Sequence, residues 1–258
     1  MDNTELPAQE FRDNIRRRLG LTPRRLSTDC DGCGAPFSEE HACQCKVGRL
    51  INLRHNILVN DWGDLCAKAL TPSAVSDKPR IHTGSQMKGT GEGARLYREE
   101  ATDQAIQARI TRGEDPAEGS SEGEHEQTDR TPRDKNRGDK GAIGLWKEHQ
   151  MAIFEVRITD VTAKSYRDGS SDQNLLKGEN LNKRKHFKAC LEARRSFTPL
   201  VFITEGCMEK ETQAAVRQLD AILSKKWDRD YLAVYGYVRA LLSLSLARFF
   251  SHLLRGEQ

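Results

Sequence analysis

Alternating apolar and polar residues in the middle of the chain predict a β-strand over 150–160. A period of two among β-branched and aromatic residues is typical of a strand with two different faces. The faces are Ala152, Phe154, Val156 and Ile158 on one side, and Ile153, Glu155, Arg157 and Thr159 on the other. A second apolar run, 141–146, precedes it, and residues 147–149 form the expected hairpin connection. Asp139 then lies at the entrance of the first strand.

Apolar residues at helical spacing predict helices over 9–20, 47–70, 172–195, 209–226 and 231–254. In the first of them the apolar face is formed by Phe11, Ile15 and Leu19, surrounded by arginines. The last has the broadest apolar surface, for which core packing is the favoured use. Residues 197–204 are apolar on both faces, so we expect a central buried strand there. A short strand is also expected over 80–83.

The composition changes abruptly between residues 84 and 136. Gly, Glu, Ser, Thr, Asp and Arg dominate this segment, and Tyr97 is its one aromatic residue. Such a segment buries too little apolar surface to offset its ordering entropy. We therefore expect a disordered acidic insertion, which agrees with the low hydrophobic content (36%) and high charged content (31%) of the 258-residue chain.

Charge and hydropathy restrict the partners. The net charge of +3 is too small to indicate nucleic-acid binding by itself, so local clusters of basic residues must carry any such function. No apolar run approaches the roughly 20 residues that span a bilayer. The N-terminus also lacks the basic and apolar regions of a secretion signal. We expect an intracellular protein without a membrane partner.

Four residues have the spacing of a tetrahedral zinc site. Cys30 and Cys33 are separated by two residues, His41 follows after seven, and Cys45 comes one helical turn after His41. Cys43 could replace Cys45, although the one-turn spacing favours Cys45. Four protein ligands leave no open position for a substrate, so the expected zinc is structural.

Two carboxylates are expected to meet at the open end of the hairpin. Asp139 precedes the first strand and Glu155 lies within the second, an arrangement suited to a hard divalent cation such as magnesium. A lysine further along the chain would complete a nuclease site. Glu179 and Lys183 lie four residues apart, so they share a helix face that can point back towards the hairpin.

These motifs resemble a known family. The order helix, candidate strand, two strands, helix and strand resembles the αβββαβ core of restriction-endonuclease-like nucleases. A more specific resemblance is to the C-terminal restriction-like, PD-(D/E)XK endonuclease region of site-specific non-LTR retrotransposon (LINE-type) reverse transcriptase polyproteins. The features that carry it, in the family's order, are the CCHC zinc knuckle, the Arg54-His55-Asn56 triplet, Asp139, Glu155 and the Ile158-Thr159-Asp160 end of the second strand. The expected fold class is therefore α/β, with an N-terminal zinc knuckle and two additional C-terminal helices.

The resemblance implies magnesium-dependent nicking of double-stranded target DNA, with Asp139 and Glu155 as the metal ligands. Gly138 and Lys140 depart from the family pattern around the first acid, and Glu155 replaces the family's aspartate. Arg157 stands where related nucleases have lysine. In this retrotransposon group the lysine comes from the following helix, which matches Lys183, with Lys185 as the alternative.

The resemblance also implies a nuclear location, with element RNA or a reverse transcriptase as further partners. The expected domains of the chain are a basic N-terminal helix (1–29), the zinc knuckle (30–46) and a nuclease-like domain. The nuclease-like domain begins at 47–83 and is completed at 137–258, with the insertion (84–136) between these two parts. The alternative function is a zinc-dependent DNA-binding module, or a mobile-element relic, without catalysis. The expected DNA contacts are Arg49, Arg54, His55, Lys185, Lys188, Arg194 and Arg195.

Overall fold

The computed structural model describes residues 5–45, 47, 50–81, 137–159, 170–204 and 206–255, without the side chains of residues 50, 51, 171, 172, 184 and 185. The described residues belong to one compact unit, built from 1–82 and 136–258. The acidic insertion predicted for 84–136 lies outside them.

The structure is a mixed α/β fold with one four-stranded sheet. The elements are α1 (Ala8–Arg18), α2 (Glu39–Gln44), α3 (Leu50–Ala69), a 3₁₀ turn (Pro72–Ala74), β1 (Val75–Asp77), β2 (Lys140–Ile143), β3 (Met151–Thr159), α4 (Ser171–Glu192), β4 (Ser196–Ile203), α5 (Lys210–Trp227) and α6 (Tyr231–Arg255). The strands lie in the order β1-β2-β3-β4. Pairing is antiparallel from β1 to β3 and parallel between β3 and β4.

The central hairpin has the predicted phase. Phe154 packs edge-on against Trp62 of α3, with 5.3 Å between the ring centroids. Ile153, on the opposite face, packs in a cluster with Ile81 and Cys190 of α4. Because side chains alternate along a strand, Glu155 and Arg157 also face α4. β4 is buried on both faces over most of its length, as predicted.

Two strand predictions need correction. The short strand expected over 80–83 is not formed at residues 80 and 81, where Arg80 makes only an isolated bridge with Arg137, and residues 82 and 83 lie outside the described part of the chain. The edge strand is β1, at Val75–Asp77. β2 ends at Ile143, three residues before the predicted end. Gly144 (φ +96°) and His149 (φ +61°) adopt left-handed conformations in the connection that follows, and these turn the chain out of the strand.

Helix α6 forms much of the core. Its buried face includes Val238, Leu242, Leu246 and Phe249, which pack with residues of α3, α5 and the sheet or with the zinc-knuckle segment. Among the described helices, α6 is the one long and apolar enough to cross a membrane, by length and composition alone, and core helices of soluble proteins meet the same test. This corrects the expectation that no apolar run reaches that length.

Helix α1 packs with the face opposite to the one predicted. Phe11, Ile15 and Leu19 are 54%, 39% and 67% exposed, whereas Asp13 is only 1% exposed. The Asp13 carboxylate accepts two hydrogen bonds from the Arg255 guanidinium, at 2.6 and 3.0 Å. A hydrogen bond of 3.1 Å from Ser251 completes the contact. An ion pair therefore attaches this helix to α6, in place of apolar packing.

Replacing Asp13 with alanine should lower the free energy of unfolding by about 3 kcal/mol, because it leaves the Arg255 charge largely buried without its partner. Replacing the exposed Phe11 with alanine should change it by less than about 0.5 kcal/mol. Denaturant titrations of both variants measure the difference. A larger cost for Phe11→Ala would show that the apolar face, and not the ion pair, holds the helix.

The contribution of Asp13 should also depend on pH. Burial would raise the pKa of Asp13, but hydrogen bonds from Arg255, Gln9 and Ser251 outweigh it and hold the pKa below the ordinary value of 3.8. A lowered folded-state pKa stabilises the fold above the unfolded-state pKa, and the gain disappears as the pH falls through the folded-state value. The difference between parent and Asp13→Ala should therefore be complete near neutral pH and shrink below about pH 4.

Candidate metal centres

The four residues predicted to bind zinc lie together in the structure. The Cys30 and Cys45 sulfurs are 3.8 Å apart, and the Cys33 sulfur lies 3.3 Å from His41 Nε2 and 3.9 Å from the Cys45 sulfur. All four ligand atoms lie within 4.8 Å of one another. Zn–S bonds of about 2.3 Å in a tetrahedron require S–S separations of about 3.8 Å. The cluster can therefore hold a zinc ion.

Local hydrogen bonds build this cluster from the sequence. Cys30 N–H donates to the Ala35 carbonyl and Gly34 N–H to the Cys30 carbonyl, both at 2.8 Å. Gly34 has φ +70°, a conformation that favours glycine. Ser38 then caps α2, accepting a 3.0 Å hydrogen bond from the His41 N–H. The tight turn and the capped helix together aim the ligands at one point.

The structure resolves the choice between Cys43 and Cys45. Cys43 is 5% exposed and packs in an apolar cluster with Phe249, Phe250 and Leu253 of α6. Cys45 ends α2, with its sulfur in the Cys/His cluster. Cys43 therefore belongs to the core, and Cys45 is the fourth candidate ligand.

Two of the thiols have shifted pKa values. Backbone hydrogen bonding from Cys33 and a side-chain hydrogen bond from His41 lower the pKa of Cys30 to about 6. Burial raises the pKa of Cys45. Metals bind the thiolate form of cysteine. The hydrogen bonds that lower the pKa of Cys30 therefore favour its ligand form.

Asp139 lies beside the middle of β3, at the end of the hairpin where β2 begins. Its backbone N–H donates to the Phe154 carbonyl at 2.9 Å. Its Oδ2 atom accepts the N–H of Val156 at 2.8 Å and lies 3.0 Å from Nε2 of His55 on α3. These contacts fix the carboxylate next to the residue that follows Glu155.

Glu155 is held from the other side by α4. Asn182 donates to its backbone carbonyl at 3.2 Å, and His186 Nε2 lies 3.5 Å from its Oε2 atom. Its side chain is 12% exposed, against 22% for that of Asp139. Both predicted carboxylates are therefore placed at one end of the hairpin, where neither is fully exposed. Magnesium binding by this pair stays a prediction.

The pKa of His55 reflects this acidic surrounding. Burial would lower it, but the hydrogen bond and the charge of Asp139 outweigh burial, with smaller contributions from Asn56 and Glu155. The net effect raises the pKa of His55 above 6.5. The Glu155 contribution indicates that both carboxylates influence the same imidazole.

The two candidate cations of the site have different surroundings. The Arg157 side chain passes under α4 at Gly178, where an added Cβ would lie 3.3 Å from Arg157 Cδ and 2.9 Å from a methyl group of Val201. The absence of a side chain at Gly178 lets the helix approach the sheet closely at this point. Because side chains alternate along a strand, Arg157 lies on the same face of β3 as Glu155, two residues away.

Lys183 does not contact Asp139 or Glu155 among the described residues. Its ammonium group pairs with Glu179 and, at 2.5 Å, with Glu211 at the start of α5. Burial would lower the pKa of Lys183, but these two carboxylates raise it above the ordinary value. The predicted proximity of Glu179 and Lys183 is confirmed, but their shared face points towards α5.

Several predicted DNA contacts are placed differently from the expectation. Arg54 is 8% exposed and lies among Phe249, Phe250 and other residues near α6, so that little of it remains for a phosphate. His55 contacts Asp139. The Arg195 guanidinium donates to the Arg80 carbonyl. Lys188 and Arg194 are exposed, as expected for DNA contacts. Arg49 and the side chain of Lys185 lie outside the described residues.

The sequence analysis missed Asn182 and His186. Both lie on the strand-facing side of α4, together with Leu175 and Gly178. The spacing of these four residues is the signal that could have identified that side, since residues three and four apart share a helix face. The predicted pair, Glu179 and Lys183, also has the spacing of one helical turn, but it lies on the neighbouring face of the helix, towards Glu211.

Comparison of the chain with family models, with curated proteins and with solved structures finds no match. The observed class is thus a mixed α/β protein with a Cys/His cluster that can hold zinc.

Proposed function

We propose that the chain is a divalent-metal-dependent DNA endonuclease with a structural zinc centre. The observation that carries the proposal is the position of Asp139, whose carboxylate accepts the N–H of Val156, the residue after Glu155. Two carboxylates on adjacent positions of a hairpin are a suitable binding site for a hard cation. Magnesium bound there would polarise a phosphate oxygen and supply a water of lowered pKa.

The topology supports the same proposal. The order of α3, β1, β2, β3, α4 and β4 follows the αβββαβ order of restriction-endonuclease-like nucleases. The first three strands are antiparallel and β4 is parallel to β3. The motif resemblance supports a more specific proposal. The chain would then be a region derived from a non-LTR retrotransposon, and it would nick double-stranded DNA in the nucleus.

We assign the positive charge of the proposed site to Arg157. It shares the strand face of Glu155, and a guanidinium stays protonated throughout the physiological range, so it can stabilise developing charge on a phosphate. Lys183, which the resemblance favours, is already neutralised by two carboxylates. Its role in this proposal is to hold α4 against α5.

The second candidate function is DNA binding without catalysis. Two observations favour it: Lys183 is paired away from the carboxylates, and Lys188 and Arg194 expose charge that phosphates could contact. The zinc centre would then stabilise the module. A mobile-element relic without activity is the outcome if the protein neither binds nor nicks DNA.

The test is nicking of supercoiled plasmid in magnesium by the parent and by Asp139→Asn and Glu155→Gln. Loss of a metal-binding carboxylate should reduce nicking by at least about 1,000-fold, because it weakens metal binding and removes the transition-state stabilisation that the metal provides. Glu148→Gln is the matched control. The Glu148 side chain is 89% exposed in the hairpin connection, so this variant should nick DNA like the parent.

The outcomes separate the candidates. A parent that retards DNA in a gel but never nicks it, with magnesium or manganese, would support the binding module. Nicking that survives both carboxylate changes would contradict the assignment of the site and point to a contaminating nuclease.

A further inference from the structure

We infer that His55 and His186 are positioning residues, one for each carboxylate of the proposed cation site. Each imidazole lies against a different carboxylate, and the two approach from opposite helices, α3 and α4. The inference rests on the proposed function, because it assigns the histidines a role in holding the groups that would bind the metal.

His55 fixes one oxygen of Asp139. The Oδ2 atom has two close donors, the Val156 N–H at 2.8 Å and His55 Nε2 at 3.0 Å. Two donors converging on one oxygen restrict rotation of the carboxylate. Oδ1 has no partner among the described residues, so it is the oxygen available to a cation. The rest of α3 at this point packs into the core through Leu58 and Trp62, which gives His55 a rigid base.

His186 occupies the corresponding position beside Glu155. Its side chain is 1% exposed, and the ring packs against Phe197 with 5.9 Å between centroids. Its Nε2 atom has no hydrogen-bond partner within the described part of the chain and lies 3.5 Å from Glu155 Oε2. A buried polar nitrogen without a partner is costly. The nearby carboxylate is the group that can satisfy it, after a small rotation of Glu155.

Helix α4 therefore faces residue 155 at two points one turn apart. Asn182 binds its backbone carbonyl and His186 faces its carboxylate. These contacts place Oε2 of Glu155 towards the helix.

The geometry favours positioning over direct ligation by the histidines. Ligands of one metal converge on one point, as the sulfur and nitrogen atoms of Cys30, Cys33, His41 and Cys45 do. His55, His186, Asp139 and Glu155 form no such cluster among the described residues. Groups that hydrogen-bond to ligands orient them, and their loss typically costs 10–100-fold in metal affinity or activity.

The test is manganese binding to the full chain, measured by EPR of free Mn²⁺, without DNA. His55→Leu and His186→Leu should each weaken binding by about 10–100-fold. His55→Gln and His186→Gln carry an amide nitrogen that can reach the place of Nε2, so we expect them to stay within about three-fold of the parent. Zinc content and thermal melting verify that each variant is folded.

Folded leucine variants that bind manganese like the parent would overturn the inference. So would glutamine variants no better than the leucine ones, because a purely steric role would then explain the loss. If His186→Leu does not fold, the half-exposed His55 still provides the full comparison.

Failure of this inference can be distinguished from failure of the proposed function. Binding that requires Asp139 and Glu155 but ignores both histidines would contradict only the positioning role. A parent protein that binds no manganese would contradict both the positioning role and the proposed function. So would a parent protein that binds manganese no better than the Asp139→Asn variant.

Discussion

Replacing Cys33 with serine is expected to release zinc and to unfold the segment around residues 30–45. Binding of a structural zinc contributes on the order of 10 kcal/mol to the folding of small zinc modules. This segment has few buried residues of its own apart from Ala42 and Cys43, which pack on α6. The measurement is metal analysis after purification under reducing conditions without chelators, combined with limited proteolysis of the N-terminal region.

Cys43→Ser is the matched control for this result. The change places a hydroxyl in an apolar cluster, which should cost about 1–3 kcal/mol of stability while zinc is retained. A protein that loses zinc on Cys43→Ser and keeps it on Cys45→Ser would contradict the ligand assignment. A parent purified without any zinc would contradict the zinc centre itself.

Replacing Arg157 with alanine is expected to lower nicking of bound DNA by about 100-fold or more, because the site loses a group that stabilises charge in the transition state. The reason is its place on the face of β3 that carries Glu155, beneath Gly178 of α4. Arg157→Lys keeps a charge without the planar fork and should recover part of the activity. Single-turnover nicking at saturating protein separates this effect from weaker DNA binding.

Lys183→Ala is the comparison that decides between the two cations. We expect a lower melting temperature, because Glu179 is left buried without its lysine, but nicking of bound DNA should stay within a few-fold of the parent. The opposite pattern, with Lys183 essential and Arg157 dispensable, would mean that Lys183 leaves Glu179 and Glu211 when DNA binds. The family resemblance would then identify the catalytic cation better than the unbound structure does.

The parts of the molecule that the sequence predicted well depend on local spacing. The phase of β3 follows from a period of two residues, the choice of Cys45 from the spacing of one helical turn, and the buried character of β4 from an uninterrupted apolar run. The metal-type spacing of Cys30, Cys33, His41 and Cys45 likewise predicts a cluster that the structure assembles. These features need no knowledge of what packs against them.

The parts that could not be predicted depend on partners far along the chain. The buried face of α1 is set by Arg255, which is 242 residues from Asp13. A helical pattern shows Phe11 and Ile15 as the apolar side, but it cannot show that the neighbouring helix supplies an arginine in place of an apolar surface. Lys183 is a similar case, because its second carboxylate, Glu211, belongs to another helix.

The position of β1 also could not be predicted from the local sequence. The three residues 75–77 have no strong alternation of their own, and their pairing with β2 at 140–142 lies across the long insertion. The nearby segment 80–83 has the more strand-like composition, yet Arg80 forms only an isolated bridge. Edge strands this short are set by the strand they pair with.

The most direct measurement of the central claim is the position of a bound manganese ion, located by anomalous diffraction in crystals of the parent protein soaked in Mn²⁺. We expect one ion at the open end of the β2–β3 hairpin, with an oxygen of Asp139 and an oxygen of Glu155 each at about 2.1 Å. The site should be empty in crystals of Asp139→Asn. Crystals of the parent with no ion between these two carboxylates, or with the ion held by other side chains, would contradict the proposed metal site.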